Sequence, residues 1–371
     1  MRKLASVQTI EELTPIKGAD FIETAKILGW YCVVKKGEFE VGDKCVYFEI
    51  DSIVPQWECF EFMKDRKYRV KTIKLRKQIS QGLALSFDTL GLDPGKHFVG
   101  DDLTEGLGVI KHDPEGDKER AMEAQGKKKK PWWTKFYYGM KLWNFLNPRR
   151  GGWPEWIPKT DETRVQNMQN VTKAVEGRNL YYTEKIDGQS LTIYCNLEER
   201  TGIFSKGSTG VCSRNIHYPK PVSNNWWNWT LETCALETLE RYCRSEGKSL
   251  AIQFELFGEG IQGNSYELEG RMAYMFNVWD IKNQCYLNLY EKLDVANVCS
   301  FDMVPYLVLK DLEKTHNVCL HTQEGFLKAA EGMSIVPDSN CEREGIVIRD
   351  ISDDSFSFKA ISNTWLLKNE V

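Results

Sequence analysis

The sequence predicts an α+β protein in two parts, a β-rich N-terminal module followed by a larger domain that mixes strands with helices. Three observations carry this reading. Short apolar segments punctuated by turn residues fill residues 1–110, a polar stretch interrupts the chain from Lys111 to Lys130, and from Thr160 onward strand-like runs alternate with helical periodicity. A length of 371 residues fits about two domains, and 42% hydrophobic with 27% charged residues excludes a disordered or fibrous chain. The expected division is 1–110, 111–160 and 161–371.

In the N-terminal module, GWYCVV, DKCVYFEI and YRVKTIKLR are separated by Lys36-Gly37, Val41-Gly42-Asp43 and Ser80-Gln81-Gly82, the cadence of a small barrel or sandwich rather than of βαβ units. In the third segment Lys67, Arg69 and Lys71 alternate with Tyr68, Val70 and Thr72. A strand there would carry its cations on one face, which makes the three candidate nucleic-acid-binding residues, although the alternation slips at Thr72-Ile73. The stretch from Lys111 to Lys130 has linker composition. It runs into a basic, aromatic strap from Lys127 to Trp156. Such a strap can stack on single-stranded bases or, more plainly, contribute rings to a core. In the C-terminal part strands are expected at NLYYTEK, SLTIYC, SLAIQFELF, MAYMFNVWDI and EGIVIRD. A helix is expected over LETCALETLERYCRSEG, with Leu231, Ala235, Leu236, Leu239 and Tyr242 on its apolar face and Gly247 as its stop.

Eleven cysteines, an odd number without a Cys-x-x-Cys pair, read as reduced thiols of an intracellular protein rather than a disulfide framework or zinc site. The N-terminal segment turns acidic before any leader-like apolar core, and no run approaches the ~18 apolar residues of a spanning helix, so no membrane is expected. The net charge of -4 argues against wholesale coating of nucleic acid. Two local basic patches remain: 64–77, with Asp65 its only acid, and 126–154, which has none.

The most informative element is Thr183-Glu184-Lys185-Ile186-Asp187-Gly188, directly after a strand-like run. A lysine ending a strand inside a pocket can be brought to its neutral amine by burial and nearby cations and then act as a nucleophile. Asp187 falls on the same side in extended geometry and suits a divalent cation, while Gly188 permits a sharp turn or a close approach. The plainer reading is a surface lysine before an Asp-Gly turn.

Four further elements follow in order: Cys212-Ser213-Arg214-Asn215; Gln253-Phe254-Glu255-Leu256-Phe257-Gly258; Phe276-Asn277-Val278-Trp279-Asp280; and Glu344-Gly345-Ile346-Val347-Ile348-Arg349. Ser357-Phe358-Lys359-Ala360-Ile361-Ser362-Asn363 completes the series. This succession resembles the motif series of the covalent nucleotidyltransferases, the superfamily of ATP-dependent ligases and mRNA capping enzymes, over residues 180–371. FELFGEGIQGN, VCSRN and FSFKAISN point within it to RNA ligases, and residues 1–110 look like the OB domain that precedes the catalytic domain in one group of them. The resemblance implies an N-terminal β-barrel OB domain and an ATP-grasp-like nucleotidyltransferase domain of antiparallel sheets with flanking helices. Twelve residues follow Lys359, so no C-terminal OB domain is expected within this chain.

Carried over by residue, the resemblance implies that Lys185 attacks the ATP α-phosphate to form lysyl-AMP. Thr183, Glu184, Gly188, Arg214, Asn215, Glu255, Phe276 and Lys359 would bind the nucleotide, with Phe276 stacked on adenine. Asp187 and Glu344 would serve Mg2+ or Mn2+. Many relatives have two alternating lysines in the last motif. Ser357 precedes Lys359 here, which leaves a second phosphate-contacting cation open, with Lys368 a candidate. The implied activity is the sealing of RNA 3'-hydroxyl and 5'-phosphate ends through lysyl-AMP and RNA-adenylate, at nicks, by a monomer. The alternatives are a DNA ligase, a capping-type guanylyltransferase, or a degenerate domain that binds RNA.

Some patterns are set aside. Gly258-x-Gly260-x-x-Gly263 matches a dinucleotide fingerprint in letters, but the residues after it do not open a helix, and a close backbone approach in the pocket is the preferred reading. His316, Cys319 and His321 lack a fourth ligand for a metal site, and the sequons at Asn170 and Asn228 are expected to be chance.

Overall fold

A computed structural model describes residues 2–113, 116, 151–200, 206–308 and 320–369. The strap as far as residue 150, and His316 and Cys319, lie outside the described residues.

The N-terminal module wraps small sheets around one core. Ala5–Thr9, Lys44–Phe48 and Leu83–Leu85 form one antiparallel sheet, and Glu12–Pro15, Ile22–Ile27 and Trp30–Lys35 form another. Trp30, Tyr47, Phe48 and Phe60 are fully buried between them. Ile361 and Leu366 from the far end of the chain join the same core. Trp30–Lys35 shows why the segment folds this way: its side chains alternate between buried and more exposed, and Trp30, Cys32 and Val34 point inward.

The expected basic strand does not form as one element. Lys67 and Tyr68 take left-handed φ values of 53° and 59° where a 3-10 helix, Glu58–Arg66, ends. Only Arg69–Val70 is extended before the chain breaks again and enters the hairpin Ile73–Leu75 with Gln78–Ser80. Lys67 is exposed. Arg69 turns inward to Asp51 at 3.5 Å, so the three cations do not share one strand face.

The rest of the described chain builds two sheets. Seven strands run antiparallel in the order Gly151–Gly152, Ile216–Tyr218, Lys206–Cys212, Gln189–Arg200, Leu250–Gly258, Arg271–Asp280 and Cys285–Tyr286. Five more run in the order Thr163–Arg164, Ser357–Ile361, Gly345–Asp350, Leu180–Lys185 and Tyr306–Val308. All five expected C-terminal strands are among these. The second sheet departs from the expected antiparallel pattern at one edge, where Thr163–Arg164 lies parallel to Ser357–Ile361 because the linker arrives along that strand.

The expected long helix is two. Asn225–Glu232 buries Trp227 and Trp229, Cys234 turns the chain at φ 54°, and Ala235–Glu246 buries Leu239 and Cys243. The break leaves Leu231 exposed rather than on the apolar stripe, whereas Gly247 closes the second helix in the left-handed conformation as expected. Of the strap, Trp153 and Trp156 are described. They pack with Tyr194, Cys212 and Trp279 against the first sheet, as core rings do.

Candidate active site

The two sheets and the N-terminal module enclose a cavity of about 1260 Å3. Strand register sets what faces it. Thr183 and Lys185 share one face of their strand, and Thr183 pairs with Val347, which pairs with Lys359 on the next strand. Thr183, Lys185, Val347, Arg349 and Lys359 therefore line one wall. The other face of the same sheet, with Tyr182, Ile346, Ile348, Phe358 and Ala360, is dry core. Opposite, Ser190, Glu255 and Tyr274 form a row across three strands of the larger sheet, with Gln253 and Phe276 beside them.

Lys185 pairs in register with Gly345, which brings Glu344 beside its amine, and Lys185 Nζ donates to Glu344 Oε2 at 2.6 Å. Gly345 is required there, because a Cβ would lie 2.2 Å from the Ala360 carbonyl oxygen. Burial by itself would lower the Lys185 ammonium. Glu344, then Glu255 and Asp187, outweigh burial and hold it above the ordinary lysine value. Asp187 is pushed up to about 6 by burial and by the nearby Glu344 carboxylate, although Ser265 donates to it at 3.2 Å. Two carboxylates that resist holding their charges together, on oxygen donors facing a cavity, fit a divalent cation. Among the described residues no third His, Cys, Asp or Glu completes a protein-only cage. The arrangement thus suits a cation such as Mg2+, which keeps waters and shares phosphate oxygens.

Lys359 donates to Asp161 at 3.1 Å, and Lys111 reaches the same carboxylate at 2.6 Å. Burial lowers the Lys359 ammonium, an effect that Asp161 and Glu162 only partly offset. Arg214 and Asn215 border the cavity. Asn215 also ties the linker in, donating to Asp113 and accepting from Lys159, each at 3.3 Å. Glu184 borders the cavity too, but strand alternation turns its carboxylate away, to accept the Ile335 N–H at 2.7 Å. Gly188 passes close to protein: a Cβ there would lie 2.5 Å from the Leu256 carbonyl oxygen. In the GxGxxG segment all three glycines have positive φ, Gly258 ending its strand and Gly260 and Gly263 in the turn that follows rather than at a helix start, and Gln262 from that turn lines the cavity. Lys368 instead pairs with Glu342 on the exterior at 2.8 Å.

Sequence reading missed the linker. Lys159, Asp161, Glu162 and Arg164 all line the cavity. Arg164 also joins the domains: it donates to Asp51 at 2.7 Å, while Trp30 donates to Asn167 and Asn167 to Glu49. Acids and bases packed into KTDETR were the available signal, although linker composition masked it.

A family model described as an OB-fold domain matches residues 4–87, and one described as RNA ligase matches residues 178–361. A Naegleria gruberi RNA ligase mutant with ATP and Mn is 33% identical, with all of both chains covered and a TM-score of 0.78. The chain belongs to the ATP-dependent RNA ligases. A mutant of the same Naegleria enzyme with AMP and Mn matches at 33% identity, covering 99% of this ligase and 100% of that chain, TM-score 0.78. The enzyme with PPi matches at 33%, covering 100% and 99%, TM-score 0.77. A search of curated proteins finds no match. Membership sets aside the DNA ligase and capping alternatives, and the N-terminal module of this ligase is an OB fold. Among the described residues no helix is long and apolar enough to cross a membrane.

Proposed function

We propose that this ligase joins RNA 3'-hydroxyl and 5'-phosphate ends at nicks, as a monomer, through lysyl-AMP and RNA-adenylate. The supporting observation is Lys185 at the end of a strand, in a cavity, facing Glu344, Glu255 and Asp187. ATP is the adenylyl donor, and the relatives with ATP or AMP and Mn support this pairing of donor and metal. Asp187 and Glu344 would hold Mg2+ or Mn2+, which supplies positive charge to offset the phosphates and to favour the neutral amine.

Lys185 first releases to solvent water the proton it shares with Glu344. Its Nζ then forms a bond to the α-phosphorus as the bond to the bridging oxygen breaks, and pyrophosphate leaves. Lys359, which donates to Asp161 on the cavity wall, would turn to offset charge on the α-phosphate, and Arg164 and Arg214 border the same cavity as further cations. Phe276 offers a ring to adenine and Glu255 a carboxylate to the ribose. The AMP is next passed to an RNA 5'-phosphate, making an anhydride whose AMP departs when the 3'-hydroxyl attacks. We retain Thr183, Glu184, Gly188 and Asn215 as nucleotide-site residues, and Lys67, Arg69 and Lys71 as RNA contacts of separate orientation rather than one face.

The test is intact mass after incubation with ATP and a divalent metal, for the native chain and Lys185→Ala, with GTP in parallel. An AMP adduct on the native chain only, and none with GTP, is expected. Sealing of nicked RNA and nicked DNA duplexes is then compared. An adduct that survives Lys185→Ala, or equal sealing of both duplexes, would contradict the reading.

A further inference from the structure

Behind Phe276 lies a chain of charged groups that the reaction does not use. Phe276 is the extra residue of a β-bulge: Met275 pairs with Phe254 and Asn277 with Gln253, so consecutive positions on one strand face positions two apart on the other. A bulge re-aims side chains, and here Tyr274, Phe276 and Gln253, which accepts from Asn277, all border the cavity. The carbonyl oxygen of Phe276 accepts a hydrogen bond at 3.3 Å from Lys292 Nζ. Lys292 comes from the helix Leu289–Cys299 and is completely buried.

Lys292 Nζ also donates to Tyr181 Oη at 2.8 Å and to Asp354 Oδ1 at 2.7 Å. Asp354 accepts from Arg349 at 3.3 Å, and Arg349 reaches Glu162 at 2.9 Å on the cavity wall. Tyr181 and Arg349 belong to the smaller sheet and Phe276 to the larger. One lysine thus fastens the bulge of one sheet to the strands of the other. A buried ion pair contributes little net stability compared with apolar residues of similar volume. An arrangement this costly to desolvate is better explained by what it positions.

We propose that Lys292 is a positioning residue for adenine recognition: it fixes the bulge at Phe276 and so sets the ring against the base. The proposal rests on the reading of Phe276 as the adenine shelf.

The test compares two ligands of the same cavity by calorimetry in Mg2+ buffer: AMP, which carries a base, and pyrophosphate, which does not. Lys292→Met is expected to weaken AMP about 10-fold and pyrophosphate less than 2-fold. Phe276→Ala should show the same selectivity, and adding Lys292→Met to Phe276→Ala should weaken AMP no further, because both changes remove one interaction. A purely structural lysine would weaken both ligands alike, and its effect would add to that of Phe276→Ala; either result overturns the proposal. Loss of AMP affinity in Phe276→Ala with none in Lys292→Met also overturns it, while leaving the shelf reading in place. No loss in Phe276→Ala removes the shelf reading and the proposal with it. Should Lys292→Met fail to fold, Lys292→Met with Asp354→Asn leaves Arg349 and Glu162 as a neutral pair, and the same selective loss is required of it.

Discussion

Lys185 and Lys292 are both drawn in among carboxylates, yet their surroundings hold them in opposite ways. Around Lys185 the charges are unequal: one ammonium faces Glu344, Glu255 and Asp187, and its proton is held more tightly than on an ordinary lysine. Around Lys292 they are equal, with Lys292 and Arg349 against Asp354 and Glu162. Burial there prevails over Asp354 and takes the ammonium down to about 8. The first cluster has acid in excess of its one ammonium at the cavity, whereas the second is balanced in charge and meets the cavity only through Arg349 and Glu162. Unbalanced charge marks the place where chemistry enters, and balanced charge the place where geometry is kept.

The largest expected effect follows from that excess of acid. With a chelator and no divalent cation, lysyl-AMP formation should vanish, and raising the pH from 7 to 9 should not restore it. The sign is fixed by direction: a lysine held above its ordinary value of 10.5 is still an ammonium at pH 9. Intact-mass measurement reads the adduct directly. An adduct growing in at pH 9 under chelation would mean that Glu344 does not hold the proton.

Glu344→Gln sharpens the same point, because two roles of Glu344 make opposite demands. Losing the carboxylate removes the nearest partner that keeps Lys185 protonated, which alone would speed attack. It also removes one of the two carboxylates proposed to hold the cation, which would slow attack, and the slowing is expected to win by on the order of 100-fold. Single-turnover adenylation measures the balance, and a faster variant would assign Glu344 to the proton alone.

Asp51 supplies the mirror image, one carboxylate among Arg164, Arg2 and Arg69 at the join between domains. Burial opposes its charge, but the three guanidiniums outweigh burial and hold Asp51 well below the usual carboxylate range. Its contribution is therefore present above the unfolded carboxylate value near 4 and lost as pH falls below it. Asp51→Asn keeps a residue type that tolerates the native φ of 66° and is expected to cost about 2 kcal/mol at neutral pH. Urea melts should show the difference narrowing toward pH 3; a constant difference would mean that shape rather than charge matters at this join.

What was legible in the sequence follows the same division. Lys185, Asp187, Glu255, Glu344 and Lys359 were readable because each sits in a local motif on, or within two residues of the end of, a strand of plain period, and register then brings them to one cavity. Arg164 and Glu162 were not, since they act across the fold from a segment whose composition is that of a linker. Lys292 was hidden for another reason: a lysine at the fourth position of an ordinary capped helix reads as solvated, and only the packing of two sheets buries it. The basic alternation at Lys67, Arg69 and Lys71 misled because two successive residues with positive φ, Lys67 and Tyr68, undo the period that alternation assumes.

The last effect, graded over two pH units, is read in stability alone and tests the balanced cluster. Lys292 falls to about 8 in the folded chain and returns to near 10.5 when unfolded, so between those values the unfolded state binds more protons than the folded one. Stability from this group must then rise with pH across that window, by roughly 1 kcal/mol per pH unit. Lys292→Met lacks the group, and the stability of the native chain relative to this variant should climb between pH 8 and pH 10 in urea melts. At pH 7 the two should differ modestly, because methionine fills the space and Asp354 keeps Arg349. A difference that stays flat with pH would mean that the Lys292 ammonium keeps its proton in both states. In that case the pairing with Asp354, rather than burial, would dominate the balanced cluster, and the contrast with Lys185 would be one of exposure and not of charge balance.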